Sequence, residues 1–174
     1  MANLTVTPMD RATARAITGW RYPPPYEGYT MLDDPAVVAA FLSRAERGYF
    51  QIRDGSGELL AFCCFGEEAR VPGGDYHAPA LDIGIGVRPD LTGRGDGMRY
   101  LGAVLAFGVA QFQPTQLRLT VASSNQRAIR LYTRAGFREV SRFLSLYGRQ
   151  PFVVMGRPAH DQSGDGGVTR STPA

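Results

Sequence analysis

The stretch LDIGIGVRPDLTGRGDGMRYL, Leu81 to Leu101, decides how this chain is read. Ala80 to Arg88 is an apolar run with glycines at 84 and 86, and it predicts a strand. Leu91 to Gly97 is a glycine-rich turn. Met98, Leu101, Leu105, Val109 and Phe112 then recur at spacings of three or four, which predicts a helix closed by Pro114. A strand, a glycine turn and a helix start together make an anion site. The first amides of a helix have no internal acceptor, and the helix dipole puts partial positive charge there. Gly93, Gly95 and Gly97 remove side chains from the approach, and Arg94 and Arg99 add charge beside it. A P-loop is excluded because it needs a lysine and the chain has none. A dinucleotide fingerprint fits poorly: the pattern is GxGxG, deep in the chain, with no parallel βαβ repeat around it. A glycine turn that only shapes a tight connection is the other reading of these residues.

Outward from this segment the punctuation is clear. Leu4 to Thr7 alternates as a strand, and Asp10 caps a helix running to Ile17. Trp20 to Thr30 (WRYPPPYEGYT) cannot be helix, because three consecutive prolines hold it extended. Asp33 or Asp34 caps a second helix, with Pro35 in its first turn and its end at Gly48. Tyr49 to Arg53 and Leu59 to Phe65 form a hairpin around Asp54-Gly55-Ser56-Gly57, and Glu67 to Pro79 is a loop. After the central segment, Leu117 to Ala122 is a strand and Asn125 to Ala135 a helix stopped by Gly136. Phe137 to Phe143 and Phe152 to Met155 are the last strands. The order β-α-α-β-β-β-α-β-α-β-β predicts an α/β domain of the α+β kind. Its sheet is mostly antiparallel, with one crossover helix between strands four and five. No repeat or linker divides residues 1–158, which read as one domain. Ala159 to Ala174, small and polar, read as a disordered tail.

Composition narrows the classes. The 174 residues are 44% hydrophobic and 20% charged, ordinary for one globular domain. No apolar run has the roughly 18 residues of a membrane span, and the N-terminus has no secretory apolar core, so a cytoplasmic protein is expected. Cys63 and Cys64 are strand neighbours. They point to opposite faces and suit neither a disulfide nor a metal site, so no metal is expected. The net charge of +3 comes with arginine as the only basic side chain beside histidine. Arginine grips phosphate well, although a high-GC codon bias also explains its use. No basic run with interleaved aromatics marks a nucleic-acid binder.

Two blocks resemble the GNAT superfamily of N-acetyltransferases. Val87-Arg88-Pro89 followed by Thr92-Gly93-Arg94-Gly95-Asp96-Gly97 is similar to its pyrophosphate motif, with Thr92 where the family usually has Gln or Arg. Val121 to Phe137 is similar to its second block: a strand, Asn125 at its end, and a helix closing on Tyr132 and Gly136-Phe137. The resemblance covers roughly residues 1–158. It implies an acetyl-CoA-dependent enzyme acting on a primary amine, and the chain is separately expected to be bacterial. The implied sheet has about seven strands, with helices on both faces and a splay between strands four and five. It implies that Ile85, Gly86 and Val87 pair with the pantetheine arm and that the amides from Gly93 to Met98 hold the pyrophosphate. Asn125 would bond the arm. Arg127 and Arg130 are either partners of the 3′-phosphate or solvated helix charges. Tyr132 would protonate the leaving thiolate, its alternative being a core tyrosine.

The base is less marked. Asp82 is preferred from the family's placement of an acid on the fourth strand; Glu67, Glu68 and His77 are alternatives. The aromatic loop, with Trp20, Tyr22, Tyr26 and Tyr29, is expected to border the acceptor pocket, or else to plug the core. The acceptor is open among small amines, amino acids, aminoglycosides and protein N-termini, and a homodimer is left open. A non-catalytic acetyl-CoA sensor is the alternative function. CoA and acetyl-CoA are expected to bind in the micromolar range and to raise the melting temperature. A hundredfold excess over Kd stabilises the folded state by about 2.7 kcal/mol, several degrees for a chain of this length. Gly95→Glu should abolish the shift, and no shift in wild type at millimolar acetyl-CoA would remove the cofactor reading.

Overall fold

The computed structural model describes residues 3–160; most of the predicted tail, residues 161–174, lies outside the described residues. Strands β1 (Thr5–Pro8), β2 (Tyr49–Arg53), β3 (Leu59–Phe65), β4 (Leu81–Val87), β5 (Gln116–Ala122), β6 (Arg138–Leu144) and β7 (Pro151–Pro158) alternate with four helices. These are α1 (Arg11–Thr18), α2 (Pro35–Gly48), α3 (Gly97–Phe112) and α4 (Gln126–Arg134). The caps do what their chemistry allows. The Asp10 carboxylate accepts from the Thr13 amide, and Asp34, not Asp33, accepts from Ala36 and Val37.

The strands form one seven-stranded sheet in the order β1-β2-β3-β4-β5-β7-β6. All neighbours are antiparallel except β4 and β5, which α3 joins as a parallel crossover. Strand β3, LLAFCCF, is apolar throughout because both its faces are covered. Ala61, Cys63 and Phe65 join a core with Leu101 and Val104 of α3 and Tyr132 of α4. Phe62 packs against the opposite core, built from Ala14 and Ile17 of α1 and Phe41 and Ala45 of α2. Helices therefore lie on both faces, and Cys63 and Cys64 are both free and buried.

Two boundaries differ from the sequence reading. Strand β7 is longer than Phe152 to Met155 because it lies between β5 and β6 and is laddered on both sides. Ala159, read as the start of the tail, is buried, and its amide donates to the Thr115 carbonyl at 3.0 Å. Ordered chain therefore continues past 158. No helix among the described residues is long and apolar enough to cross a membrane.

Helix α3 lies close on the sheet. A Cβ at Gly108 would stand 2.8 Å from the Phe65 ring, whereas one at Gly102 would meet nothing within 4 Å. Gly108→Val should therefore cost about 1–3 kcal/mol in urea denaturation by overpacking. Gly102→Ala, on the same helix, should gain about 0.5–1 kcal/mol from backbone entropy.

Candidate active site

The parallel pairing of β4 and β5 lasts for only three partners: Leu81 with Leu117, Asp82 with Arg118, and Ile83 with Leu119. Beyond Ile83, Gly84 to Val87 keep partners on β3 alone. The strands part, and the gap belongs to a cavity of about 680 Å³. Gly84 and Gly86 line it because neighbouring side chains leave no room for larger residues. A Cβ at Gly86 would stand 2.3 Å from the Phe62 ring, and one at Gly84 2.6 Å from Cys64 Sγ.

At one end lies the glycine turn. Gly93 and Gly95 hold φ of +77° and +97°, a region that favours glycine. The amides of Gly93 to Met98 have no backbone acceptor among the described residues. A Cβ at Gly95 would meet nothing within 4 Å, so the approach to these amides is open. Gly97 has a different reason: its missing side chain makes room for Leu131 of α4, 3.1 Å away. Thr92 lines the cavity, yet its hydroxyl donates to the Pro89 carbonyl. Asp96 is the N-cap residue of α3 and lines the cavity, whereas Arg94 and Met98 are exposed beside it. A pyrophosphate fits this ground, because it offers acceptors to free amides at a helix start.

Helix α4 forms the facing wall. Asn125 caps it, its side-chain oxygen accepting from the Ala128 amide and its Nδ2 donating to the Tyr29 hydroxyl at 3.0 Å. Tyr132, one helical turn beyond Ala128, reaches the cavity with only 7% of its surface exposed. Burial, and then the neighbouring Tyr29, push its phenol well above the ordinary tyrosine value. The side chain is therefore protonated throughout the neutral range.

The aromatic loop lines the cavity with Trp20, Tyr22, Tyr26 and Tyr29. Trp20 stands 5.8 Å from the Phe62 ring. The other three rings cross to residues expected to hold the cofactor. The Tyr22 hydroxyl donates to the Val87 carbonyl at 2.8 Å, the Arg127 guanidinium lies 4.3 Å over the Tyr26 ring, and Tyr29 meets Asn125. Arg130 borders a shallow hollow on α4 with Arg127, Thr133 and Arg134.

The carboxylates separate cleanly. Asp82 is buried and is not among the cavity residues. Arg118 grips both its oxygens, and Arg70 Nε adds a bond of 2.7 Å. Glu68 lines the cavity, accepts from the Tyr49 hydroxyl at 3.0 Å, and lies 3.4 Å from Arg44 Nη1. Glu67 and His77 are exposed and are not among the cavity residues. Sequence reasoning missed Arg44, Tyr49 and Arg70. One signal was available for Arg70: an aspartate inside an apolar strand must be paired when buried, so a cation near it was required.

The family and fold can now be set beside known proteins. The Acetyltransferase (GNAT) family model matches residues 14–137, so the chain belongs to the GNAT acetyltransferase family. No curated protein sequence matches the chain. Among solved structures it is similar to a chimeric spermidine N-acetyltransferase built from Vibrio cholerae SpeG and hSSAT. The identity is 17%, the TM-score 0.71, and 90% of this chain and 95% of that one are covered. It is also similar to a GNAT-family acetyltransferase from Bacillus anthracis, at 13% identity and TM-score 0.69 over 91% and 97% of the two chains. A dodecameric Vibrio cholerae spermidine N-acetyltransferase aligns at TM-score 0.62 and 19% identity over 90% and 94%. At these identities the likeness is one of fold.

The cavity tyrosines set an alkaline limit on stability. Burial raises Tyr22 to about 12 and also lifts Tyr29, Tyr49 and Tyr132. Unfolded tyrosines titrate near pH 10, so these groups contribute stability that is fully present below that pH. It is lost as the pH rises through their higher folded values. Urea midpoints should therefore fall between about pH 9.5 and 11.5. Native absorbance at 295 nm should show fewer phenolates than the unfolded chain at the same pH.

Proposed function

We propose that this protein transfers an acetyl group from acetyl-CoA to a primary amine, with a catalytic domain that spans residues 1–158 and takes in Ala159. The observation that carries this reading is the parting of β4 and β5. It leaves the Gly84–Val87 edge without a strand partner in a cavity that Tyr132 also lines, and that cavity reaches the open amides of the Gly93 to Met98 turn. Membership of the GNAT family and the fold likeness to N-acetyltransferases support it.

Acetyl-CoA supplies an activated acyl group on a thiol leaving group. The chain's own residues do the rest. The Gly93–Met98 amides and the α3 start hold the pyrophosphate, with Arg127 beside Gly93. The free edge from Ile85 to Val87 and the Asn125 amide orient the pantetheine arm. To receive it, the Tyr22 and Tyr29 hydroxyls exchange their contacts with Val87 and Asn125. Glu68, inside the cavity and bonded by Tyr49, takes the proton that the acceptor ammonium must lose before attack. It replaces Asp82 in this role because both oxygens of Asp82 are held by arginines. Tyr132, kept protonated by burial, gives its proton to the departing sulfur.

Free-thiol release against a broad amine panel tests the activity. Tyr132→Phe deletes only the hydroxyl, and kcat should fall by roughly 10², the low end for an acid because a thiolate already leaves well. Glu68→Gln should lower kcat by about 10² to 10³. Acetyl-CoA affinity should change little in either variant. Wild-type turnover from Tyr132→Phe within about twofold would return Tyr132 to the core. Binding without turnover of any amine would favour a sensor.

A further inference from the structure

The acceptor end of the cavity carries an unbalanced arginine. Glu68 is paired with Arg44, and Asp82 is shared between Arg118 and Arg70. Two arginines on one carboxylate leave a positive charge over, and burial decides where it lies. Arg118 is 6% exposed, and its guanidinium is spent on Asp82 and on the Ala78 and Tyr76 carbonyls. Asp75, the next acidic side chain, is exposed and turned onto the His77 amide. Arg70 gives only its Nε to Asp82, 35% of its side chain remains exposed, and the residue is part of the cavity lining. Its guanidinium also lies 5.4 Å from the centre of the Tyr76 ring. One edge is thus anchored, while the terminal nitrogens have no acceptor among the described residues. A planar guanidinium held this way presents a bidentate fork to a carboxylate.

The same cavity has apolar and aromatic walls, among them Ile17, Trp20, Phe41 and Phe62. A polyamine would bring several ammonium groups and need several carboxylates. Among the described residues, the acidic side chains lining the cavity are Glu68, paired with Arg44, and Asp96, at the start of α3. We infer that the acceptor is a primary amine of the amino-acid class, with an apolar or aromatic body and a carboxylate gripped by Arg70. Asp82 and Tyr76 are the positioning residues of that arginine. The inference rests on the acetyl-transfer reading and names its substrate.

Phenylalanine, tryptophan and leucine, each beside the amine that lacks its carboxylate, and spermidine are compared by thiol release in wild type, Arg70→Gln and Arg70→Lys. At least one amino acid should exceed its decarboxylated partner and spermidine in kcat/KM by roughly ten- to a hundredfold, the range of a charge-assisted pair. Arg70→Gln should erase that margin through KM, leaving kcat, the acetyl-CoA thermal shift and the plain amines unmoved. Arg70→Lys should restore part of it. Preference for spermidine or for every decarboxylated amine would overturn the inference while leaving acetyl transfer intact. So would an equal loss on all substrates in Arg70→Gln. If nothing turns over, calorimetric titration of the three amino acids into CoA-saturated protein separates the two claims. Binding that Arg70→Gln abolishes upholds the carboxylate site while acetyl transfer fails, and no binding overturns the site as well.

Discussion

After Ile83 strand β4 loses its neighbour, and the rest of the site is arranged around that loss. Backbone polar groups away from water need partners. The β4 segment from Gly84 to Val87 satisfies its β3 side by the antiparallel ladder and leaves the β5 side open. Strand β5 is laddered to β7 along its whole length, from Gln116 to Ala122, which fixes its place on the far side of the gap. Phe62 and Cys64 lie so close over Gly86 and Gly84 that β4 admits no larger residues there. A half-paired strand held between two rigid ladders is a ready partner for any extended molecule with amide groups. The Tyr22 hydroxyl already uses the Val87 carbonyl in this way.

The aromatic loop follows from the same opening. Its prolines, with a cis bond between Pro24 and Pro25, carry the chain across the mouth of the gap. Tyr22, Tyr26 and Tyr29 then fasten onto β4 and the start of α4. One loop touches both ends of the cavity, with Trp20 on Phe62 and Tyr26 under Arg127. The two ends of the cavity therefore share a wall, and a change in this loop reaches both.

Charge in the cavity is organised by burial. Asp82 sits at the last stretch of β4 still paired with β5, beside Arg118 on the partner strand. Desolvating it requires cations, and the two that serve it are unequally buried. The deeper arginine is consumed by the fold, and the shallower one, a residue of the cavity lining, keeps terminal nitrogens with no acceptor among the described residues. Glu68, a residue that the loop after β3 brings under Tyr49, stays within the cavity.

Local chemistry carried much of this in the sequence. Glycine conformation and helix-start amides marked the Leu81 to Leu101 segment as a candidate anion site, because both effects act within a few residues. Asp10, the end at Gly48 and the crossover helix were legible for the same reason. The family blocks brought the splay and the placement of Asn125 and Tyr132. Other features depended on which strands became neighbours. The order β5-β7-β6, the length of β7, and the packing of Ala159 on Thr115 arise from ladders between distant segments. Asp82 and Glu68 looked alike as acidic residues near the middle of the chain. Pairing β4 with β5 placed Arg118 against the first, and packing α2 beside β2 placed Arg44 and Tyr49 against the second. Sequence by itself determined where the chain turns, caps and exposes amides. Tertiary structure alone decided which charges are buried together and which remain free, because that depends on contacts between residues far apart along the chain.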